Sequence, residues 1–249
     1  MATTASPPFT LDAGTAFSLA VAFSLMPSAR ALAAVALPKS IKPTYYYLFL
    51  WHAYDFLTHF IIEGSYLYHC FFSYIDLPIP TSDYPHPASR GGPPVPQLFG
   101  HSDRRYGAIY SQAPMARLWQ EYAKADRRWG GADLTVISLE ILTVGLAGPA
   151  AMVAKSGSQS TAKAKYQTRM WFVAVMIATG ELYGGFMTFA PEWLSGNPAL
   201  AGEDPVYLWL YLVFFNMLWV FIPLWVLYAA YTEISAAFTA QGVTSKKSN

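Results

Sequence analysis

Five stretches of this chain are long and apolar enough to cross a lipid bilayer, and nothing else in the sequence limits the fold as strongly. They run over residues 14–37, 45–75, 134–154, 170–189 and 204–232. A crossing helix needs about 20 mostly apolar residues. Inside a bilayer every backbone amide must be bonded within its own helix or in a closed barrel. None of the five shows period-2 alternation broken by Asn-Gly or Asp-Gly turns, so a barrel does not compete. The sequence predicts an all-α, polytopic membrane protein. Composition agrees. Residues of the AVILMFWYC set make up 54% and charged residues 12%, against about 25% charged in an average soluble domain. A disordered chain, a coiled coil and an ordinary soluble enzyme are thereby excluded. A net charge of +1 without a basic patch argues against a nucleic-acid partner. One cysteine, Cys70, leaves no disulfide framework and no multi-cysteine metal site. No internal repeat is visible.

Charge sets the expected orientation. Residues 1–13 and 190–205 contain no Lys or Arg, whereas Lys39, Lys42, Lys155, Lys163, Lys165 and Arg169 flank the alternate connections. Basic residues favour the cytosolic side. The amino end is therefore expected in the lumen and the carboxyl end in the cytosol, a parity that five spans satisfy. The lumenal loop 76–133 departs from this rule with seven basic residues, among them Arg104, Arg105, Arg127 and Arg128, but long loops obey it poorly. Within that loop, 77–100 is rich in Pro and Gly, and 114–128 reads as a short amphipathic helix with Leu118, Trp119 and Tyr122 on its apolar side. That helix is either a lid along the membrane surface or a connector. Three regions follow: 1–44 with the first span and a linker, 45–235 as the membrane domain, and 236–249 as a cytosolic tail. Lys246 and Lys247 in that tail fit a dilysine endoplasmic-reticulum retrieval signal. A cleaved leader is an alternative for the first span, given the Ala-x-Ala pattern at Ala31–Ala33, but no basic residue precedes it.

Ionisable side chains inside the spans carry the functional signal, because each costs roughly 2.5–3.5 kcal/mol at the bilayer centre. The second span holds His52, Asp55, His59, Glu63 and His69. At about 100° per residue the first four fall in a stripe about 80° wide. Asp55–His59 and His59–Glu63 are i,i+4 pairs. Glu140 and Thr143 lie on the third span, Glu181 and Tyr183 on the fourth, and Asn216 and Trp219 on the fifth. A shared intramembrane polar cavity explains the set most simply. Four carboxyl groups (Asp55, Glu63, Glu140, Glu181) face no Lys or Arg within the last four spans. They cannot all be charged, so the cavity holds a mixture of acids and carboxylates. Such a site can give a proton, take one, and stabilise a positive charge in between, with Trp219 offering a π face. This suits carbocation chemistry on a water-insoluble substrate. His52 reads as a rim residue and His69 as structural. A metal site built on His59, Glu63 and Glu140 is a rival, weakened by the missing second histidine, and no metal is expected. A proton or cation transporter is the rival from another class, weakened by the absence of an inverted repeat.

The strings His-Phe-Ile-Ile-Glu-Gly (59–64), Leu-Trp-Gln-Glu-Tyr-Ala-Lys-Ala-Asp-Arg-Arg-Trp (118–129), Glu-Ile-Leu-Thr…Gly-Pro (140–149) and Leu-Tyr-Leu-Val-Phe-Phe-Asn-Met-Leu-Trp-Val-Phe-Ile-Pro (210–223) resemble the emopamil-binding protein family. That family is the sterol Δ8–Δ7 isomerase group of the EXPERA-domain superfamily, and the likeness runs from about residue 45 to 235. The resemblance implies a five-helix endoplasmic-reticulum isomerase that protonates a sterol at C9, passes through a cation at C8 and removes a proton from C7. It implies that His59 and Glu63 are the acid/base pair, that Glu140 is the second carboxylate and Thr143 its hydroxyl neighbour, and that Tyr183, Asn216 and Trp219 line the pocket. It implies no cofactor, binding of cationic amphiphiles, and possible homodimers. This chain departs from the family pattern at Asp55, at Glu181 and in a long insertion over 78–105. Two alternatives therefore stand beside the sterol isomerase: a pathway-specific isomerase or cyclase for another terpenoid-like or polycyclic lipophile, and a non-catalytic sterol- or amphiphile-binding protein.

Overall fold

The computed structural model describes residues 8–77, 98–147 and 160–247, with side chains over 8–77, 98–145 and 166–240. Helix α1 (Ala13–Ala36) begins where the Asp12 carboxylate accepts the Thr15 amide at 2.8 Å, satisfying one of the orphan donors of a first turn. Helix α2 (Pro43–Leu57) opens on a proline, whose missing N–H costs nothing at that position. It runs without a break through a π turn (Thr58–Glu63) into α3 (Gly64–Phe72). Strand β1 (Tyr74–Asp76) pairs antiparallel with β2 (Arg104–Tyr106). Helix α4 (Pro114–Tyr122) and a 3₁₀ turn (Arg127–Gly130) lead to α5 (Leu134–Leu142), which Asp133 caps through the amides of Thr135 and Val136 and which ends in a π turn (Thr143–Ala147). Helix α6 (Ser160–Ser195) is followed by a π segment (Tyr207–Phe214) that passes into α7 (Phe215–Lys247).

The protein is mostly helical, as expected, and three of its helices are long and apolar enough to cross a membrane: Ala13–Ala36, Tyr166–Ser195 and Tyr207–Ala240. Their outward faces are apolar, with Val35, Leu194, Trp209, Phe221 and Tyr228 exposed. Water would penalise such surfaces and lipid does not. The expected second span is a helix of sufficient length, Pro43–Phe72, but its ionisable and tyrosine residues make it less apolar than those three. The expected third span is a shorter apolar helix, Leu134–Gly145, among the described residues. Residues 78–97 of the inserted loop and 148–159, with Lys155, lie outside the described residues, as do the side chains of Lys246 and Lys247.

Three local expectations are corrected. The second helix stops at Phe72 rather than 75, because Ser73 turns extended and Tyr74–Asp76 joins a strand ladder whose register pairs Tyr74 with Tyr106. The fifth helix runs past residue 232 to Lys247, so the tail continues it. The amphipathic helix ends at Tyr122 rather than 128. Asp126 breaks it by accepting the Arg128 amide at 3.1 Å and binding the Arg128 guanidinium at 2.6 Å.

Helix α4 also has a different setting from a surface lid. Its apolar side is buried in the protein, where Trp119 stacks on Trp129 (centroids 4.8 Å, planes 8° apart) beneath Tyr66. The Trp119 indole donates to Ser65 Oγ at 2.9 Å, tying α4 to α3. Gly107 fits where no other residue would. Its φ is +144°, and a Cβ there would meet the Gly130 carbonyl at 2.6 Å. Helix α1 packs on α2 and α4, α6 packs on α7, and the first two π turns face each other. Their meeting point is the site.

Candidate active site

His59 sits in the π turn of the second helix with its ring buried to 3% exposure. A π turn inserts one residue into the helical repeat and re-aims the side chains around it, which is why such turns recur at functional sites. Here it sets the imidazole between two carboxyl groups. Nδ1 makes a short contact with Glu63 Oε2, and Nε2 lies 2.9 Å from Asp55 Oδ1. The Nε2 contact is close but is not an aligned hydrogen bond, since the ring N–H direction misses the oxygen. Asp55 is fully buried. Its Oδ1 accepts a hydrogen bond from the Trp219 indole at 2.9 Å, so the last helix fixes the carboxylate that faces His59. The Trp219 ring centroid is 6.1 Å from that of His59.

Across from Glu63, the π turn that ends α5 presents Thr143. Its Oγ lies 2.7 Å from Glu140 Oε2 and 3.5 Å from Glu63 Oε2, so one hydroxyl touches two carboxyl groups from different helices. Together these contacts form a connected series: Asp55, His59, Glu63, Thr143, Glu140. From His59 to Glu140 the series is hydrogen-bonded throughout.

The series borders a cavity of about 750 Å³, within the range of pockets that enclose a drug-sized ligand. His59, Glu63, Glu140, Thr143, Glu181, Asn216 and Trp219 all lie on its wall, and most of the remaining lining is apolar. Asp55 stands behind the wall, in contact with His59 and Trp219. Glu181 is 6% exposed, with Asp55 and Trp51 as its polar neighbours. Tyr183 is not on the wall. It is 63% exposed, because two residues along a helix turn the side chain about 200° and Glu181 already faces inward. His69 is buried and bonded to Ser73 Oγ at 2.7 Å, a structural placement. His52 is half-buried, is not on the wall, and has neither ring nitrogen bonded among the described residues.

The sequence reading missed several wall residues. Asn216 donates to the Tyr122 hydroxyl at 3.0 Å, and the Tyr211 hydroxyl donates to Glu121 Oε1 at 3.2 Å. Burial pushes the Tyr122 phenol up, so it stays protonated. Tyr122 and Glu121 belong to the 118–129 string of the resemblance, from which the sequence assigns no site residue. Tyr54 also lines the cavity, its ring 5.9 Å from that of Trp219.

His59, Glu63 and Glu140 present ligand atoms within 4.8 Å of one another, which meets the first requirement for a metal site. The donor chemistry fits poorly. Both His59 nitrogens already face carboxyl groups, so an ion would have to displace Glu63 or Asp55 to reach a lone pair.

Fold and site together define a helical membrane protein with a buried acid–base cluster opening on an apolar cavity. The resemblance read from the sequence is borne out at this point: residues 114–230 match the EXPERA family (EXPanded EBP superfamily). That stretch includes Glu140, Thr143, Glu181, Asn216 and Trp219 and leaves out His59 and Glu63. Among curated relatives, the "Probable 3-beta-hydroxysteroid-Delta(8),Delta(7)-isomerase" of Oryza sativa subsp. japonica is 25% identical over 208 residues, 84% of this chain and 76% of the relative. The 3-beta-hydroxysteroid-Delta(8),Delta(7)-isomerase of Cavia porcellus is 33% identical over 112 residues, 45% of this chain and 47% of the relative. The isomeliandiol synthase of Melia azedarach is 28% identical over 132 residues, 53% of this chain and 59% of the relative. The chain thus spans about half the length of the guinea-pig relative and about three quarters of the rice one.

Proposed function

We propose that this chain is a membrane-embedded isomerase that moves a sterol ring double bond from position 8 to position 7 through a carbocation. The observation that carries the reading is the contact series from Asp55 through His59, Glu63 and Thr143 to Glu140 on the wall of an apolar cavity. The relatives named as Delta(8),Delta(7)-isomerases support it. In this reading the His59–Glu63 unit is the acid. It delivers a proton to C9, the double-bond electrons form the new C–H bond, and C8 is left positive. Glu140 and the Trp219 face stabilise that charge, and Glu140 takes the proton from C7 as the new double bond closes. One proton is added and one removed, so the balance needs no cofactor. Thr143 holds Glu140 and Glu63 in reach of each other. Asp55 orients His59, while Asn216, Trp219 and Glu181 shape the binding wall.

The same proposal includes five crossing helices around an intramembrane polar cavity, with 45–235 as the membrane domain, 1–44 ahead of it and 236–249 behind it. It places the protein in the endoplasmic-reticulum membrane with the amino end lumenal and the carboxyl end cytosolic, as the charge bias favours, and in homodimers, as the resemblance implies. A second reading is an isomerase or cyclase for another terpenoid-like lipophile. Two observations favour keeping it: the extra acids Asp55 and Glu181, and relatives named isomeliandiol synthase and protoglabretal synthase.

Incubation with a zymosterol-type Δ8 sterol in D2O tests the first reading. The expected result is a Δ7 product labelled at C9, with the label lost in Glu140→Gln. Unchanged sterol would overturn the sterol reading, and conversion of a triterpenoid in its place would establish the second.

A further inference from the structure

Glu181 is the site's outlying acid, and its surroundings are unusual. The side chain is more than nine-tenths buried, it lies on the cavity wall, and neither carboxyl oxygen has a hydrogen-bond partner among the described residues. Burial of a carboxyl group with no partner is costly. The adjoining Trp51 indole N–H and Asp55 Oδ2 are also buried without partners. Among the described residues, no Lys or Arg lies in the second helix or on the cavity wall to neutralise the acid. Trp51 can turn its N–H to one oxygen at most, which leaves the other open to a hydrogen-bond donor from the cavity.

Position narrows its chemistry. Asp55, beside Glu181, touches Nε2 of His59, whereas Glu63 touches Nδ1 on the other side of the ring. Glu181 thus adjoins the Nε2 side of the ring through Asp55, whereas Glu63 lies on the Nδ1 side with Glu140 beyond it. A group bonded to Glu181 is therefore placed on a different part of the ligand from the carbon that exchanges protons with Glu63 and Glu140. It sits elsewhere on the same rigid ring system. The surrounding wall is apolar, which excludes a highly polar ligand.

We propose that Glu181 is a specificity-determining residue that accepts a hydrogen bond from a hydroxyl group carried by a fused-ring lipophile, remote from the carbon that reacts. Trp51 supports it from behind as a donor that holds the carboxyl in place. The inference deepens the isomerase reading and rests on it for the identity of the reacting carbon, but it concerns ligand binding and can be tested without turnover.

The test uses the full chain in lipid nanodiscs and three probes: a 3β-hydroxy Δ8 sterol, its 3-methyl ether and its 3-deoxy counterpart. Direct binding is measured for each. Wild-type protein is expected to favour the hydroxy sterol over both others by about tenfold, the scale of one buried hydrogen bond. Glu181→Leu should abolish the preference, and Glu181→Gln, whose amide oxygen still accepts, should keep most of it. Equal binding of the three probes by wild type overturns the inference, and this comparison needs no variant to fold. Full preference retained in Glu181→Leu also overturns it and assigns Glu181 to a proton shared with Asp55. Hydroxyl preference without any product would leave the inference standing and sink the isomerase reading. Product formation without preference would do the reverse.

Discussion

The indole of Trp219 donates a hydrogen bond to Asp55 Oδ1 at 2.9 Å, joining residues 164 positions apart in sequence. Asp55 is wholly buried and faces His59, so this bond fixes the orientation of the first carboxylate in the series. Trp219→Phe keeps most of the aromatic face and removes the donor. A hydrogen bond to a charged group is worth about 1.5–3 kcal/mol. The variant should unfold at lower temperature in detergent, and its isomerisation rate should fall about tenfold or more. An unchanged rate with normal unfolding would separate Trp219 from the positioning of His59.

Glu140 and Thr143 should behave differently from each other. General acid–base groups typically contribute about 10²–10⁴-fold to rate. Glu140→Gln, nearly isosteric, should lose activity in that range while binding substrate normally. Thr143→Val removes only the hydroxyl that spans Glu140 and Glu63, and its loss should be smaller, about tenfold. Single-turnover rates and substrate affinity, measured side by side, check both. If Thr143→Val were as inactive as Glu140→Gln, the hydroxyl would have to carry a proton itself.

How much of this site the sequence discloses depends on rarity. Ionisable residues in apolar stretches are uncommon enough that His59, Glu63, Glu140 and Glu181 could be singled out, and all four lie on one wall. The i,i+4 spacing of Asp55, His59 and Glu63 announced their contacts, though not the π turn that aims them. Tyr183 could not be oriented this way, because the resemblance marked it while its charge marked Glu181, and only one of two residues 200° apart can face inward. Amphipathic periodicity identified the apolar side of α4 but not what covers it, so its burial under Tyr66 and Trp129 was not legible. The β1–β2 pair was hidden for a plainer reason. Three residues show no usable alternation, and the partners are far apart in the chain.

Asp126 and Arg128 should matter for stability and not for chemistry. Their carboxylate and guanidinium are 1% and 8% exposed and bonded at 2.6 Å, and Arg128 also reaches Glu192 at 3.8 Å. Removing the Asp126 charge leaves Arg128 with only the more distant Glu192, and breaking a buried pair costs up to about 3–5 kcal/mol. Asp126→Asn is expected to lower the unfolding midpoint sharply, with normal turnover per folded molecule. A normal midpoint would mean that Glu192 or water takes over the pairing of Arg128.

Gly107→Ala tests the close approach of the β2–α4 connection to the turn after Trp129. The new methyl would meet the Gly130 carbonyl at 2.6 Å and would sit on a backbone with φ of +144°. Strain of that kind costs about 1–3 kcal/mol. Reduced thermal stability is expected, with the substrate affinity of the folded fraction unchanged. Gly131→Ala is the control, since a Cβ there meets nothing within 4 Å.

Tyr183 gives the sharpest contrast between resemblance and geometry. Its ring points away from the cavity at 63% exposure, while Glu181, two residues earlier, is 6% exposed and on the wall. Surface substitutions of this kind usually change stability by less than about 0.5 kcal/mol. Tyr183→Phe and Tyr183→Leu should therefore both leave turnover and sterol affinity at wild-type levels. A rise in the Michaelis constant for Tyr183→Phe alone would mean that the phenol hydroxyl reaches the substrate after all. That would require α6 to turn by about half a revolution on binding, and it would withdraw Glu181 from the wall at the same time. Affinity measurements on the Tyr183 and Glu181 variants together can therefore decide which face of α6 the ligand meets.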